Sequence, residues 1–559
     1  MKTYQDYTPN GGRDFIAPAT HIAFSKLAFG LVLIFFTKVG LAQSTTSQKL
    51  EQLITAYHEL GLFNGSVLVV QKSQILFNKS YGYRDFKAQT LATENTKYLA
   101  YSITKSVTAT LILKLVEDHK LSLQDKLSTF YPSLPFADSI TIEHLLTHTS
   151  GIYAYNNDYS MPVESEQAMI NFLKQSKLNF KPGTSWRYCN TGYYLLGFII
   201  QKVTGMSYEK VVKNYIFTPL SMSESGFDYK NLTDSLKSKG YKSTFKTYVK
   251  EAPLYDNKEL FSAGGMYTTL RDLYKFHQGM QSYKIISQST TEKAYTPYKN
   301  NYGHGWFIET MAGRKLVSHS GGASGFRSYL IRDPENDLCI VLLCNSEEID
   351  IVAIKKKILA ILFNEPYWLP KQINLSEKQL ANLEGAFQYG SEMTFYIQAG
   401  NGRLHIMPSR QPSAILLPQT DSTFYIDKID GKVEFKKNKL GEIDTLVLEQ
   451  KGKKYILPKA SFQWGIVGSA TPNGWAGADI VLKADITQKG RWIVRNILLK
   501  NGEIKFRVNN DWTLSYGGTD DQNKLEKGGQ NIRVVAGSYD VILDLINVDK
   551  PTYRLEIRQ

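Results

Sequence analysis

The stretch Ser102-Ile103-Thr104-Lys105-Ser106-Val107-Thr108-Ala109-Thr110-Leu111-Ile112-Leu113-Lys114-Leu115-Val116 decides how the rest of the chain is read. Its apolar run from Val107 to Val116 predicts a strong helix that starts near Ser102. At a helix start, residues i and i+3 share a face, so the Ser102 hydroxyl and the Lys105 amine come within hydrogen-bond reach. A serine hydroxyl needs a nearby base to act as a nucleophile. A buried lysine can lose its proton and serve as that base. The free N–H groups of a helix start also favour a developing oxyanion. Alone, the pair is weak evidence. Ser102 reads equally well as a helix N-cap, and Ser243-Thr244-Phe245-Lys246 repeats the spacing without opening an apolar helix.

Order along the chain strengthens the reading. Tyr188-Cys189-Asn190 follows Lys181-Pro182-Gly183 and precedes the apolar stretch from Tyr193 to Ile200. His319-Ser320-Gly321-Gly322 comes later, just before a strand at Ser328. A phenol beside cations can exchange a proton with serine and leaving group. An asparagine amide can donate to a substrate carbonyl and orient a lysine. Glycines after His319 let backbone approach a substrate closely, and one of their N–H groups can complete an oxyanion hole.

With these elements in order, the chain resembles the class C β-lactamases and their relatives among DD-peptidases, D-aminopeptidases and esterases. The resemblance spans about 49–363. It extends to Thr141–Ile152, Ala263-Gly264-Gly265-Met266, Tyr302-Gly303-His304-Gly305-Trp306 and Ser318–Phe326. It implies that Ser102 is the acylated nucleophile, Lys105 its activating partner and Tyr188 the proton shuttle. Asn190 and the strand element His319, Ser320, Gly321 would bind substrate, with the backbone N–H groups of Ser102 and Gly322 as the oxyanion hole. The family usually carries lysine where His319 stands. Histidine is only partly charged near neutrality, so the departure points away from a typical β-lactam and toward a D-amino-acid peptide, amide or ester. The competing expectation is a catalytically silent protein that keeps the fold to bind peptidoglycan or glucan. His144 and His148, four apart, suggest a metal-binding pair, but no Glu sits where a metalloprotease needs one and no third ligand is evident. No metal or cofactor is expected.

At 559 residues the chain exceeds one hydrophobic core. Strands at both ends of 49–364, with helices between, predict an α+β domain whose sheet joins the two termini. The segment from Ser328 to Leu343 reads as a hairpin turning at Pro334-Glu335-Asn336-Asp337, closed by a helix from about Ile351 to Phe363. Beyond Pro366 and Pro370 the texture becomes short strands with glycine turns, so 374–459 reads as a small accessory β-barrel with a structural or substrate-gating role. The last block, 462–559, is also strand-rich. Trp464–Trp475, Ile504–Trp512 and Gly528–Ile532 resemble the starch-binding modules of the SusE and SusF outer-membrane lipoproteins. That resemblance implies an immunoglobulin-like sandwich, with Trp475, Trp492 and Trp512 as candidate contacts to a starch-like or cell-envelope glycan. Any single Trp reads more readily as core.

The formal charge of +14 comes from dispersed Lys and Arg, and the densest run, Lys355-Lys356-Lys357, sits in an apolar stretch. The excess therefore reads as a basic surface and not as a nucleic-acid site. Cys189, Cys339 and Cys344 form no disulfide or metal pattern, and the last two should point to opposite faces of one strand. Lys26, the apolar run Leu27–Phe36 and Gly40-Leu41-Ala42 read as a signal peptide over 1–42, followed by a polar linker at 43–48. The run is short for a bilayer span. The expectation is a periplasmic or secreted, envelope-associated protein, membrane-held only if that segment stays uncleaved.

Overall fold

The computed structural model describes residues 46–558 apart from 154–164, 246–247, 255–256, 372, 391–392, 401, 410, 412, 486–487, 489 and 548–549. The expected signal segment lies outside the described residues. Residues 46–48, expected as the end of a linker, are instead already helical. They open helix α1 (46–59), because Leu50, Leu53, Ile54 and Tyr57 give it a fully buried face at helical spacing.

The first domain is built on a six-stranded antiparallel sheet. Its strands are β1 (Gly65–Gln71), β2 (Gln74–Tyr81), β3 (Phe307–Met311), β4 (Arg314–Ala323), β5 (Phe326–Asp333) and β6 (Leu338–Cys344), in the order β2-β1-β6-β5-β4-β3. Pairing of β1 with β6, Gly65 opposite Cys344, joins the two ends of the domain as expected. Every residue of β6 is buried, because helices cover both faces of the sheet. Cys339 packs with the large helical layer and Cys344 with α1 and α4 (Ile351–Phe363). The expected opposite orientation of the two thiols follows from the strand's period of two. The large layer contains α2 (Thr104–Glu117) and α3 (Asn190–Thr204), which carry the candidate chemistry. Among the described residues no helix is long and apolar enough to cross a membrane.

Eight short strands from Gly385–Tyr389 to Lys453–Ala460 then run in sequence around a closed barrel. Ala386 pairs with Ala460 to close it, and Phe387, Phe424 and Phe435 fill its interior. Behind the barrel, two antiparallel sheets enclose a core that includes Ile466, Phe506 and Leu514 from one and Val541 and Leu543 from the other.

Barrel and first domain meet through a buried charge. The Tyr57 hydroxyl and the Lys357 ammonium both donate to the Asp427 carboxylate at the barrel's surface. The Lys357 Nζ also lies within 6 Å of the ring centres of Tyr57, Trp368 and Tyr425. The basic run of α4 is therefore largely internal: Lys355 pairs with Glu309 at 2.7 Å, and both Lys355 and Lys357 are buried. Removing one member of such a pair leaves the other charge buried and unpaired. Asp427→Ala should therefore cost about 3–5 kcal/mol. Denaturant melts and hydrogen exchange should show the loss concentrated at α1, α4 and the 427–429 turn, whereas a loss under ~1 kcal/mol would mean the contact is exposed to water.

Candidate active site

The turn that carries Ser102 is not the helix start anticipated from sequence. Tyr101–Ile103 forms a 3-10 turn ahead of α2, and Ser102 caps nothing, since Ile103 occupies the N-cap position without a side-chain bond. Tyr101 has φ +45°, a left-handed conformation unusual for a bulky residue. Its hydroxyl donates to the Ser324 carbonyl at 2.8 Å, which ties the strained turn to the hairpin at the end of β4. Thr104 Oγ1 donates to the Tyr101 carbonyl and accepts from the Met266 amide at 3.1 Å. The Ala263–Met266 motif thus clamps the turn from the other side.

Lys105 is fully buried, and its Nζ donates to Ser102 Oγ at 3.1 Å and to the Ala263 carbonyl at 2.7 Å. No carboxylate pairs with it among the described residues. Burial holds its pKa well below the usual lysine value. The Nζ lies 4.9 Å from the centre of the Tyr188 ring and 5.6 Å from that of Tyr193. Asn190 opens α3 directly after Tyr188-Cys189. The structure therefore brings Ser102, Lys105 and the Tyr188 ring together, with Asn190 two residues beyond Tyr188 at the start of α3. The alternative Ser243 lies in a short strand, Tyr241–Phe245, and its Lys246 falls outside the described residues.

The strand element sits beside Ser102 because of how the hairpins pair. A two-residue turn closes β3 to β4 between Met311 and Arg314, and another closes β4 to β5 between Ala323 and Phe326. The flanking pair of such a turn is hydrogen-bonded and alternate pairs follow suit. Both hairpins agree that the amides of Ser320 and Gly322 point away from β5, toward the side of β3. Pairing with β3 ends at Ser318 opposite Phe307, so those amides face an open edge. Gly321 packs so closely that a Cβ there would lie 2.0 Å from the Ala100 carbonyl and 2.9 Å from the Ser102 amide. The Ser102 and Gly322 amides accordingly lie next to one another at this edge.

His319 differs from the expected substrate contact. It is 1% exposed, and its Nδ1–H donates to the Ser320 carbonyl at 2.7 Å. Its Nε2 accepts from the Tyr302 hydroxyl at 3.1 Å. Burial, with Lys105 nearby, pushes its pKa down to about 3, so the ring is neutral. It presents no charge to a substrate, because its position in the core of the strand, and not its residue type, sets its protonation.

Two further side chains stand beside these groups: His148, which the sequence offers only as half of a histidine pair, and Trp186. His148 is buried with φ +60°, past the end of the short helix Ile142–Leu146, so it shares no helix face with His144, which completes that helix's capping box. The His148 ring lies 4.4 Å from Tyr188 and 4.7 Å from Tyr302 between ring centres, and its Nδ1 accepts from the Cys189 amide at 3.1 Å. Burial, then Lys105 and His319, hold its pKa well down. Trp186 packs against it edge-on. Asn190 Oδ1, His148 Nε2 and Trp186 Nε1 are all buried without a hydrogen-bond partner among the described residues. Arg327 stands at the same strand end but on the other face of the sheet: its guanidinium lies 3.3 Å from where a Cβ on Gly322 would stand, whereas Ser328 beside it donates to the Ala100 carbonyl on the Ser102 face. A cleft of about 630 Å³ runs from Ser320–Gly322 and Arg327 to the barrel residues His405, Asp427 and Lys428.

This constellation has counterparts. The β-lactamase family model matches residues 48–360, more than half of the chain. The chain belongs to the β-lactamase family. Penicillin-binding protein 4* of Bacillus subtilis is 28% identical over 425 residues, 69% of this chain and 94% of that protein. Protein flp of Staphylococcus aureus is 32% identical over 327 residues, 54% of this chain and 63% of its own. Among solved structures, the octameric penicillin-binding protein homologue from Pyrococcus abyssi is 27% identical with a TM-score of 0.54, covering 75% of this chain and 99% of that one. The chain is thus a serine hydrolase of the β-lactamase and penicillin-binding-protein family, and the 69% and 75% of it covered by two of these relatives exceed the matched family segment.

The close approach at Gly321 gives a test of the family's strand edge. Gly321→Ala must displace backbone at Ala100 and Ser102, so acylation should fall about 10²–10³-fold, as when an oxyanion donor is lost. Gly322→Ala meets only the flexible Arg327 side chain, at 3.0 Å, and should fall less than ~10-fold. Equal losses in burst-phase acylation would contradict this account of the edge.

Proposed function

We propose that the protein is an exported serine hydrolase that cleaves a D-amino-acid peptide, amide or ester through an acyl-enzyme on Ser102. The observation that carries this reading is Lys105, buried, free of carboxylates and 3.1 Å from Ser102 Oγ. A neutral Lys105 takes the proton from Ser102 as Oγ bonds to the substrate carbonyl carbon. The carbonyl oxygen gains the negative charge against the amides of Ser102 and Gly322. The proton passes to the leaving nitrogen or oxygen, with the Tyr188 phenol as its carrier, and the carbon–leaving-group bond breaks. Water then adds to the acyl-enzyme, its proton returning through the same groups, and the acid leaves as Ser102 is restored. Asn190 Oδ1, unpartnered and buried, is available to a substrate amide N–H.

The neutral, enclosed His319 supports peptides and esters over β-lactams, since it supplies no cation for a carboxylate beside the scissile bond. The barrel wall of the cleft, His405 and Lys428 included, supports a gating role for that domain. Export rests on the apolar segment within 1–42 and places the enzyme in the periplasm or outside the cell, against the envelope.

For the last domain we propose glycan binding through Trp475 and Trp512. Their rings are 6.1 Å apart at 37°, and Trp512 is 47% exposed over the Arg507 guanidinium, 4.5 Å away. Trp492 does not belong to this pair; it packs 6.1 Å from Trp464 on the barrel side of the domain.

Ser102→Ala should abolish covalent labelling by a fluorophosphonate or penicillin probe while its circular dichroism and melting remain those of the wild type. Labelling that persists would end the assignment. Because the base must be neutral, kcat/KM for a p-nitrophenyl ester should rise with pH through the lowered Lys105 pKa and reach its plateau well below 10.5. No limb should arise from His319 between pH 5 and 8, and a limb there that vanishes in His319→Asn would show that the histidine titrates in the site.

A further inference from the structure

Tyr188 sits in a stretch that forms no helix or strand of its own, residues 185–189, between a turn closed by the Thr184 amide on the Lys181 carbonyl and the start of α3. A proton carrier must be held within hydrogen-bond reach of its partners, so something outside this stretch has to fix it. One residue does so from both sides. The Arg187 amide donates to the His148 carbonyl at 3.0 Å, and the Cys189 amide donates to His148 Nδ1 at 3.1 Å. Between these two bonds the His148 ring lies against the Tyr188 ring, 4.4 Å apart between centres and tilted by 39°. His148 is itself left-handed, with φ +60°, a strain that lasts only where the surroundings over-determine it. Its neighbours do: the Thr147 and Thr149 hydroxyls bond at 2.9 Å, and the Gly183 amide donates to the Thr149 carbonyl at 2.8 Å.

The residue type carries the argument further. Because Nδ1 accepts, the one proton of the neutral ring is on Nε2, and that N–H is buried without a hydrogen-bond partner among the described residues. The rings of Tyr193 and Tyr302 stand 5.1 and 4.7 Å away between centres and complete an aromatic box around the imidazole. A buried donor left unmatched costs free energy. A phenylalanine would fill the same box without that cost, but it could not accept the Cys189 amide. We propose that His148 is a positioning residue, which fixes the backbone on both sides of Tyr188 and the plane of its ring so that the phenol stays beside Lys105. The Lys105 Nζ lies 4.9 Å from that ring's centre. His148 takes no proton in the reaction and acts only through Tyr188. The inference rests on the reading of Tyr188 as the carrier of the proton to the leaving group.

The test is kcat/KM, which reports acylation, for acetate esters with increasingly basic leaving groups: p-nitrophenyl, phenyl and trifluoroethyl. p-Nitrophenolate departs without a proton, whereas the other two need one. Tyr188→Phe should therefore lose little on the first and about 10²-fold on the last. His148→Phe should follow the same gradient, reaching a loss of at least about tenfold on trifluoroethyl acetate. The double variant Tyr188→Phe/His148→Phe should lose no more than Tyr188→Phe alone, since a residue that acts through another adds nothing once that other is gone. His148→Asn should recover most of the trifluoroethyl activity, because its Oδ1 can accept the Cys189 amide and asparagine tolerates positive φ. It also carries the test if His148→Phe fails to fold. Equal losses on all three esters in either variant, or losses that add to those of Tyr188→Phe, would overturn the proposal. A flat profile in Tyr188→Phe itself would overturn the proton-carrier reading and this proposal with it. Covalent labelling of Ser102 by a fluorophosphonate in every variant keeps the nucleophile's assignment separate from both.

Discussion

A lysine sealed from water, with no carboxylate among the described residues to neutralise it, is the constraint around which this active site is organised. Protonated Lys105 would be an unpaired buried charge, far costlier than the loss of its proton. The surrounding groups follow from that. The Ala263 carbonyl and Ser102 Oγ give the amine polar partners without adding charge. His148 and His319 are both enclosed and held neutral, and nearby Lys105 acts on each in that direction. The core therefore concentrates basic side chains yet carries little net charge until a proton leaves serine. The positive charge that then develops sits on Lys105 and the negative charge on the substrate oxygen, where the backbone amides stand.

The second constraint is the left-handed Tyr101. A residue with positive φ ahead of the nucleophile turns the chain sharply enough to present Ser102 to the edge of β4, and such strain persists only where its surroundings over-determine it. Here they do: Tyr101 is tied to Ser324, Thr104 to Met266, and Gly321 lies against Ala100. Three separated sequence motifs thus meet at one turn, and their order along the chain records the order in which the topology returns to it.

What could be read in the sequence divides along the same line. Period and turn chemistry carried α2, the hairpin at Pro334–Asp337 and the joining of the domain's ends by β1 and β6, because those features are local or follow from alternation. The pairing of Ser102 with Lys105 was legible for the same reason. The environment of His319 was not: a histidine on a strand titrates according to what covers it, and Tyr302, the residue that does, belongs to a loop motif read only as family texture. Lys357 shows the same blindness, since a basic run in an apolar helix gives no hint that Asp427 waits in another domain. Trp475, Trp492 and Trp512 of the last block are indistinguishable by type, and only the fold separates the Trp475–Trp512 pair from Trp492 at the barrel junction.

The Asp427 anchor also borders the cleft at the end of β4. The cleft along Ser320–Gly322 is closed on its far side by His405 and Lys428 of the barrel, and Asp427, one residue from Lys428, is the anchor that fixes the barrel to α1 and α4. Position of the wall and strength of the anchor are therefore one quantity. The cleft borders Ser320 and Gly322 on the face of β4 opposite the one that Gly321 turns to Ser102, so the anchor bears on the strand edge from behind.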